Sequence, residues 1–180
     1  MQIRDLFADT PIHQDTLASL ELQRLMREPI DVTHDWQRAE RLLQIVIEQL
    51  PHRLETQVAL FKMYAYDGQH DKAEALICKV LAQAAERVGI DRDWRQLTAT
   101  SASWKGATGD VRCYLYSMKA LGFVSLRQGN IARAEAVLNK LQELDTDDEI
   151  GSSVVYQLAL ALSEETDDEE LYPDAERINQ

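Results

Sequence analysis

Residues Leu115 to Asp145, LYSMKALGFVSLRQGNIARAEAVLNKLQELD, decide the fold. On both sides of RQGN the apolar residues recur every three or four positions, the spacing that builds one face of an α-helix. Gly129 interrupts the pattern, so the stretch predicts two amphipathic helices, Val111 to Arg127 and Ile131 to Leu144, joined by a tight turn. The same shape stands upstream in ALFKMYAYDGQHDKAEALICKVLAQA, where Gly68 separates helices expected over Leu54 to Tyr66 and Asp71 to Val88.

Working outward, Trp36, Ala39, Leu42, Leu43, Val46, Ile47 and Leu50 form a stripe between the capping residue Asp35 and Pro51. A looser pattern predicts a helix over Thr16 to Arg27, ended by Pro29, and a last helix is expected over Asp148 to Leu162. Gly89 falls where a helix end needs positive φ. Ile90 to Asp110 loses all period and fills with Ser, Thr and Gly, which reads as a linker with one helical turn around Trp94. No run alternates like a strand, so the fold class is all-α, with about seven helices in one domain, residues 1–163, and an acidic C-terminal tail, residues 164–180.

The helix pairs repeat. Leu60, Tyr64, Gly68, Ala73 and Ile77 in one pair answer to Leu121, Ser125, Gly129, Ala134 and Leu138 in the other, with Gly122 beside Leu121. Ala39 to Ala73 is 34 residues, and Ala73 to Ala134 is 61, one period plus 27. The skeleton W-x2-L-G-x2-Y, A-x3-F, P at a period of about 34 is that of tetratricopeptide repeats, which this chain resembles from Thr16 to Leu162. The resemblance implies a stack of antiparallel helix pairs, with residues 90–110 as an insertion between the second and third units. Small residues at the skeleton positions let paired helices approach, and large ones fill the gap to the next unit.

The net charge is −12. About −7 of it lies in EETDDEELYPDAERINQ, which leaves about −5 for the body. An acidic balance argues against general binding to nucleic acid or anionic membranes, both of which need clustered positive charge. No apolar run is long enough for a signal peptide or a membrane span, so a cytoplasmic protein is expected. Cys78 and Cys113 lack a C-x-x-C partner or a nearby His cluster and read as reduced, packed thiols.

Catalytic constellations do not emerge. His13, His34, His52 and His70 lie at separate helix boundaries, and none pairs with another at i, i+4 as a metal site on one helix requires. SWKGATGD lacks the P-loop pattern and follows no strand, which leaves a flexible tip as its plain reading. Cys113 has no assignable base or oxyanion donor, and the acidic pairs in TDDE and TDDEE read as solvated caps and tail. The expectation is a protein with no enzymatic activity, no metal and no cofactor.

What remains is surface. In tetratricopeptide repeats the first helix of each pair lines the concave groove, and the matching positions are Lys62 and Tyr66 in one pair and Tyr116, Lys119, Phe123 and Arg127 in the other. These aromatics and cations suit an acidic or extended peptide segment. Packed against the insertion or the last helix, they would instead be structural. Asparagines, which the carboxylate-gripping repeats place in the groove, are missing at matching positions, so capture of a C-terminal carboxylate is not expected. Trp104, exposed on the insertion, would serve as an interface anchor. Folded back, it would cover the helices.

CYLYSMKALGFVSLRQGN followed by LQELDTDDEIGSSVV also resembles a small family of tetratricopeptide-like proteins linked to nitrogen fixation, the nitrogenase-associated factor T type. The resemblance covers chiefly Cys113 to Val155. It implies a non-catalytic accessory factor that binds the molybdenum–iron component of nitrogenase during assembly, cofactor insertion or repair. Two other readings stay open: a general or secretion-type chaperone for linear peptides, and a regulatory domain holding a small molecule near Tyr66, Tyr116 and Phe123.

Overall fold

Residues 35–171 are described by a computed structural model, with side chains to residue 162. The helix expected at Thr16 to Arg27 lies outside the described residues. Among the described residues there are six α-helices and no strand: α1 (Trp36–Gln49), α2 (Leu54–Tyr66), α3 (His70–Val88), α4 (Gly109–Arg127), α5 (Ile131–Leu144) and α6 (Ser153–Leu171). One 3₁₀ turn, Trp94–Gln96, sits in the connection between α3 and α4.

Each helix packs on the next, and α2 also packs on α4, and α4 on α6. The core runs through this arrangement from Ala39 and Leu43 by way of Phe61, Met63, Ile77 and Val80 to Met118, Val137 and Leu141, all nearly or fully buried. The three small residues that mark the period, Ala39, Ala73 and Ala134, are each 0% exposed. Burial this complete leaves no space for a larger side chain, which would push the neighbouring helices apart.

The two glycine turns are built alike. In the α2–α3 turn the amides of Asp67, Gly68, Gln69 and Ala73 donate to the carbonyls of Met63, Ala65, Tyr64 and Gln69. In the α4–α5 turn Gln128, Gly129, Asn130 and Ala134 donate to Val124, Leu126, Ser125 and Asn130, the same bonds moved along by one sequence offset. Gly68 and Gly129 hold φ of 77° and 76°, a conformation that glycine adopts without the strain a Cβ brings. Only Asn130 of the two residues before the second helices adds a side-chain cap, accepting from the Arg133 amide at 3.2 Å. α1 and α5 are both 14 residues long and close with the same backbone bond, Leu50 to Val46 and Asp145 to Leu141.

Two expectations change. The last helix begins at Ser153 instead of Asp148, because two carboxylates take the backbone amides that a helix would need. Asp145, buried, accepts from the Glu149 and Ile150 amides, both at 2.9 Å, and Asp148, at φ 50°, accepts from Ser152 at 2.6 Å and Ser153 at 3.1 Å. α6 also runs on to Leu171, beyond the apolar stretch that ends at Leu162.

The second change concerns residues 90–110, which fold back on the body in place of a flexible tip. Leu97 and Ala107 are buried with Trp104, and the Leu97 carbonyl accepts from Lys140 Nζ on α5 at 3.3 Å. The Gly106 amide donates to the Glu149 carboxylate at 3.0 Å, and Lys105 pairs with Asp147 at 2.7 Å. These contacts tie the insertion to the turn between α5 and α6.

Candidate functional site

α2 and α4 lie side by side, and that packing brings Lys62 and Tyr116 together. Lys62 Nζ stands 4.8 Å from the Tyr116 ring centroid, and the Arg112 guanidinium is 5.1 Å from the same centroid. Arg112 also donates to Tyr116 Oη at 3.3 Å. Two cations therefore share one half-buried aromatic ring, each attracted by its π-electrons. Arg112 escaped the sequence reading, although its place one turn before Tyr116 on the same helix face was available as a signal.

The other expected groove residues separate. Tyr66 closes α2 and is 74% exposed. Lys119 is half-buried, and its Nζ donates to the Ile150 carbonyl at 3.0 Å, so it fastens the α5–α6 turn. Phe123 packs half-buried against the core. Arg127 is exposed at the end of α4 and, with Gln128 and Gly68 to Lys72, lines an open cavity of about 380 Å³. Of the two α4 cations expected in the groove, Lys119 is thus engaged by the fold and Arg127 stands at the open cavity.

Trp104 requires correction as an exposed anchor. It is 5% exposed, its Nε1 donates to the Thr98 carbonyl at 2.9 Å, and its ring meets Tyr114 at 6.3 Å between centroids. A Trp whose ring finds an apolar wall and whose N–H finds a carbonyl is stable in the interior. α4 supplies the first through Tyr114, and the insertion supplies the second through Thr98.

Cys78 and Cys113 are unbridged. Burial, with Glu55 and Asp110 nearby, pushes the Cys113 thiol up to about 12, so at neutral pH it stays protonated and a poor nucleophile. His52 is exposed, and His70 lines the cavity beside Arg127. His13 and His34 lie outside the described residues. Among the described residues no three His, Cys, Asp or Glu side chains gather as a metal site would need, and no helix is long and apolar enough to cross a membrane.

No protein-family model and no solved structure matches the chain. A relative described as an "uncharacterized 19.8 kDa protein in nifW 5'region" of Azotobacter chroococcum mcd 1 is 26% identical over 140 residues, covering 71% of this chain and 78% of the relative. That likeness links this all-helical chain to a protein of a nitrogen-fixation gene region.

Proposed function

We propose that the protein is a non-catalytic, cytoplasmic accessory factor of nitrogen fixation, built as a tetratricopeptide-like stack, that binds the molybdenum–iron component of nitrogenase during assembly, cofactor insertion or repair. The observation that carries the reading is the relative from the nifW 5' region. The duplicated glycine turns, and the packing of α2 on α4 and α4 on α6, favour the stack. Such a stack offers a wide, preformed surface, so a client can bind without an ordering penalty on the scaffold's side. The cations gathered on Tyr116 would face acidic client segments.

The test is a tagged pull-down from native cells grown with and without fixed nitrogen, with partners identified by mass spectrometry. Stoichiometric molybdenum–iron protein, recovered only under nitrogen-fixing conditions, is the expected result. Recovery of many unrelated clients in both conditions would replace the reading with a general peptide-binding scaffold.

A further inference from the structure

From Val154 to Leu162 the sequence VVYQLALAL is apolar around the whole helix except at Gln157. A helix of that kind is normally covered on all sides. α2, its counterpart in the first pair, buries ten of its 13 residues between neighbouring helices. In α6 only Ala159 is buried among residues 153–162, with Val155, Tyr156 and Leu162 leaning on Leu126, Ala134 and Leu138. α6 packs on α5 and α4 and has no helix on its far side among the described residues.

That far side carries Val154, 77% exposed, and Leu158, 51% exposed, with Ala161 exposed one turn further. Positions i, i+4 and i+7 make one straight stripe. The same helix then continues through Glu164, Glu165, Asp167, Asp168, Glu169 and Glu170 without a single base. An apolar stripe running into a block of negative charge sets the chemistry of what can lie along it.

A second copy fits poorly. Parallel pairing of two α6 helices sets the acidic blocks side by side, and antiparallel pairing about Leu158 sets each block against the Asp147, Asp148 and Glu149 turn of the other. Both arrangements bring like charges together. We infer that the outer face of α6 docks a basic amphipathic helix of a partner protein, its apolar stripe on Val154, Leu158 and Ala161 and its Lys or Arg residues along the acidic block. This is helix-in-groove recognition with an electrostatic extension. The inference rests on the reading that the chain binds protein, and it names a face and a partner chemistry that the Tyr116 cluster does not supply.

The probe is a labelled synthetic Leu/Lys peptide of about 18 residues with leucines at helical spacing, compared by fluorescence anisotropy with a scrambled peptide of equal composition. The full chain should bind the amphipathic peptide at least about tenfold more tightly than the scramble, and more weakly as salt rises from about 0.1 to about 0.5 M. Val154→Ser with Leu158→Ser, which alters only exposed positions, should remove the preference while the circular dichroism spectrum is kept. Equal binding of the scramble would overturn the proposal in favour of charge alone, and an unaltered variant would exclude this face. Sedimentation of the wild type as a dimer that the variant dissolves would make a second copy the occupant. A photo-crosslinker at position 158 joining residues 1–34 or 172–180 would show that the chain covers its own stripe. Nitrogenase recovered in the pull-down alongside a negative peptide test would place the client on another surface, whereas a positive peptide test without nitrogenase keeps the face and loses that client.

Discussion

Gly122 on α4 faces Leu138 on α5 so closely that a Cβ at position 122 would stand 2.5 Å from Leu138 Cγ. Leu138 is 0% exposed and cannot swing away. The absent side chain is what lets the two helices of this pair meet, and it sits at the glycine position of the repeat skeleton. In a free helix Gly→Ala stabilises by about 1 kcal/mol. Here the clash outweighs that gain, and Gly122→Ala should destabilise the fold by about 1 to 3 kcal/mol in urea denaturation. Adding Leu138→Ala should recover part of the loss that Gly122→Ala causes, a non-additivity that independent sites would not show.

Lys119 belongs to the fold before it belongs to any groove. Its ammonium donates to the carbonyl of Ile150, a residue only 4% exposed, at 3.0 Å. Lys119→Met keeps the stem and removes the donor, so it should lower stability by about 1 kcal/mol and speed amide exchange in the turn before α6. Unchanged stability with weakened client capture would return Lys119 to the binding surface.

The helices were largely legible because their apolar residues repeat at helical period and their ends carry Gly68, Gly89 and Gly129, all at positive φ. The start of α6 was hidden because Asp145 and Asp148 act on amides four and five residues onward, a local bond that periodicity does not report. Lys62 and Tyr116 were both legible as first-helix residues, but their contact was not, because they stand at different places of the repeat and meet only through the packing of α2 on α4. Lys119 and Trp104 could not be placed, because their partners, Ile150 and Thr98, are backbone carbonyls of irregular segments that leave no mark in residue type.

Glu74 on α3 and Arg133 on α5 join the two second helices by a hydrogen-bonded ion pair. The bond from Arg133 holds the Glu74 carboxyl below its ordinary value against the opposing effect of burial. A depressed carboxylate pKa contributes stability that is complete above the unfolded value of about 4.3 and lost as pH falls through the folded value. The side chains are 26% and 32% exposed, so the contribution is small, about 0.5 to 1 kcal/mol. Glu74→Gln should therefore be less stable than wild type at neutral pH by about that amount, and the two denaturation curves should converge in acid. A difference that persisted below the folded pKa would assign the effect to packing.

Trp104 provides the sharpest separation between a structural and a binding role. Its ring lies against Tyr114 and its N–H is used by Thr98, so Trp104→Ala leaves a cavity beneath the insertion and should cost about 3 to 5 kcal/mol. Trp104→Phe keeps an aromatic ring and loses the donor, and its cost should be smaller, about 1 to 2 kcal/mol. Leu97 hangs on the same segment through Lys140, so the larger substitution should also raise amide exchange across residues 97–107. An exposed anchor would behave oppositely, losing client with little change in stability. A melting curve and a pull-down of the same two variants decide between them: a fall in melting temperature that precedes any loss of client fixes Trp104 as the residue that seals the insertion onto α4.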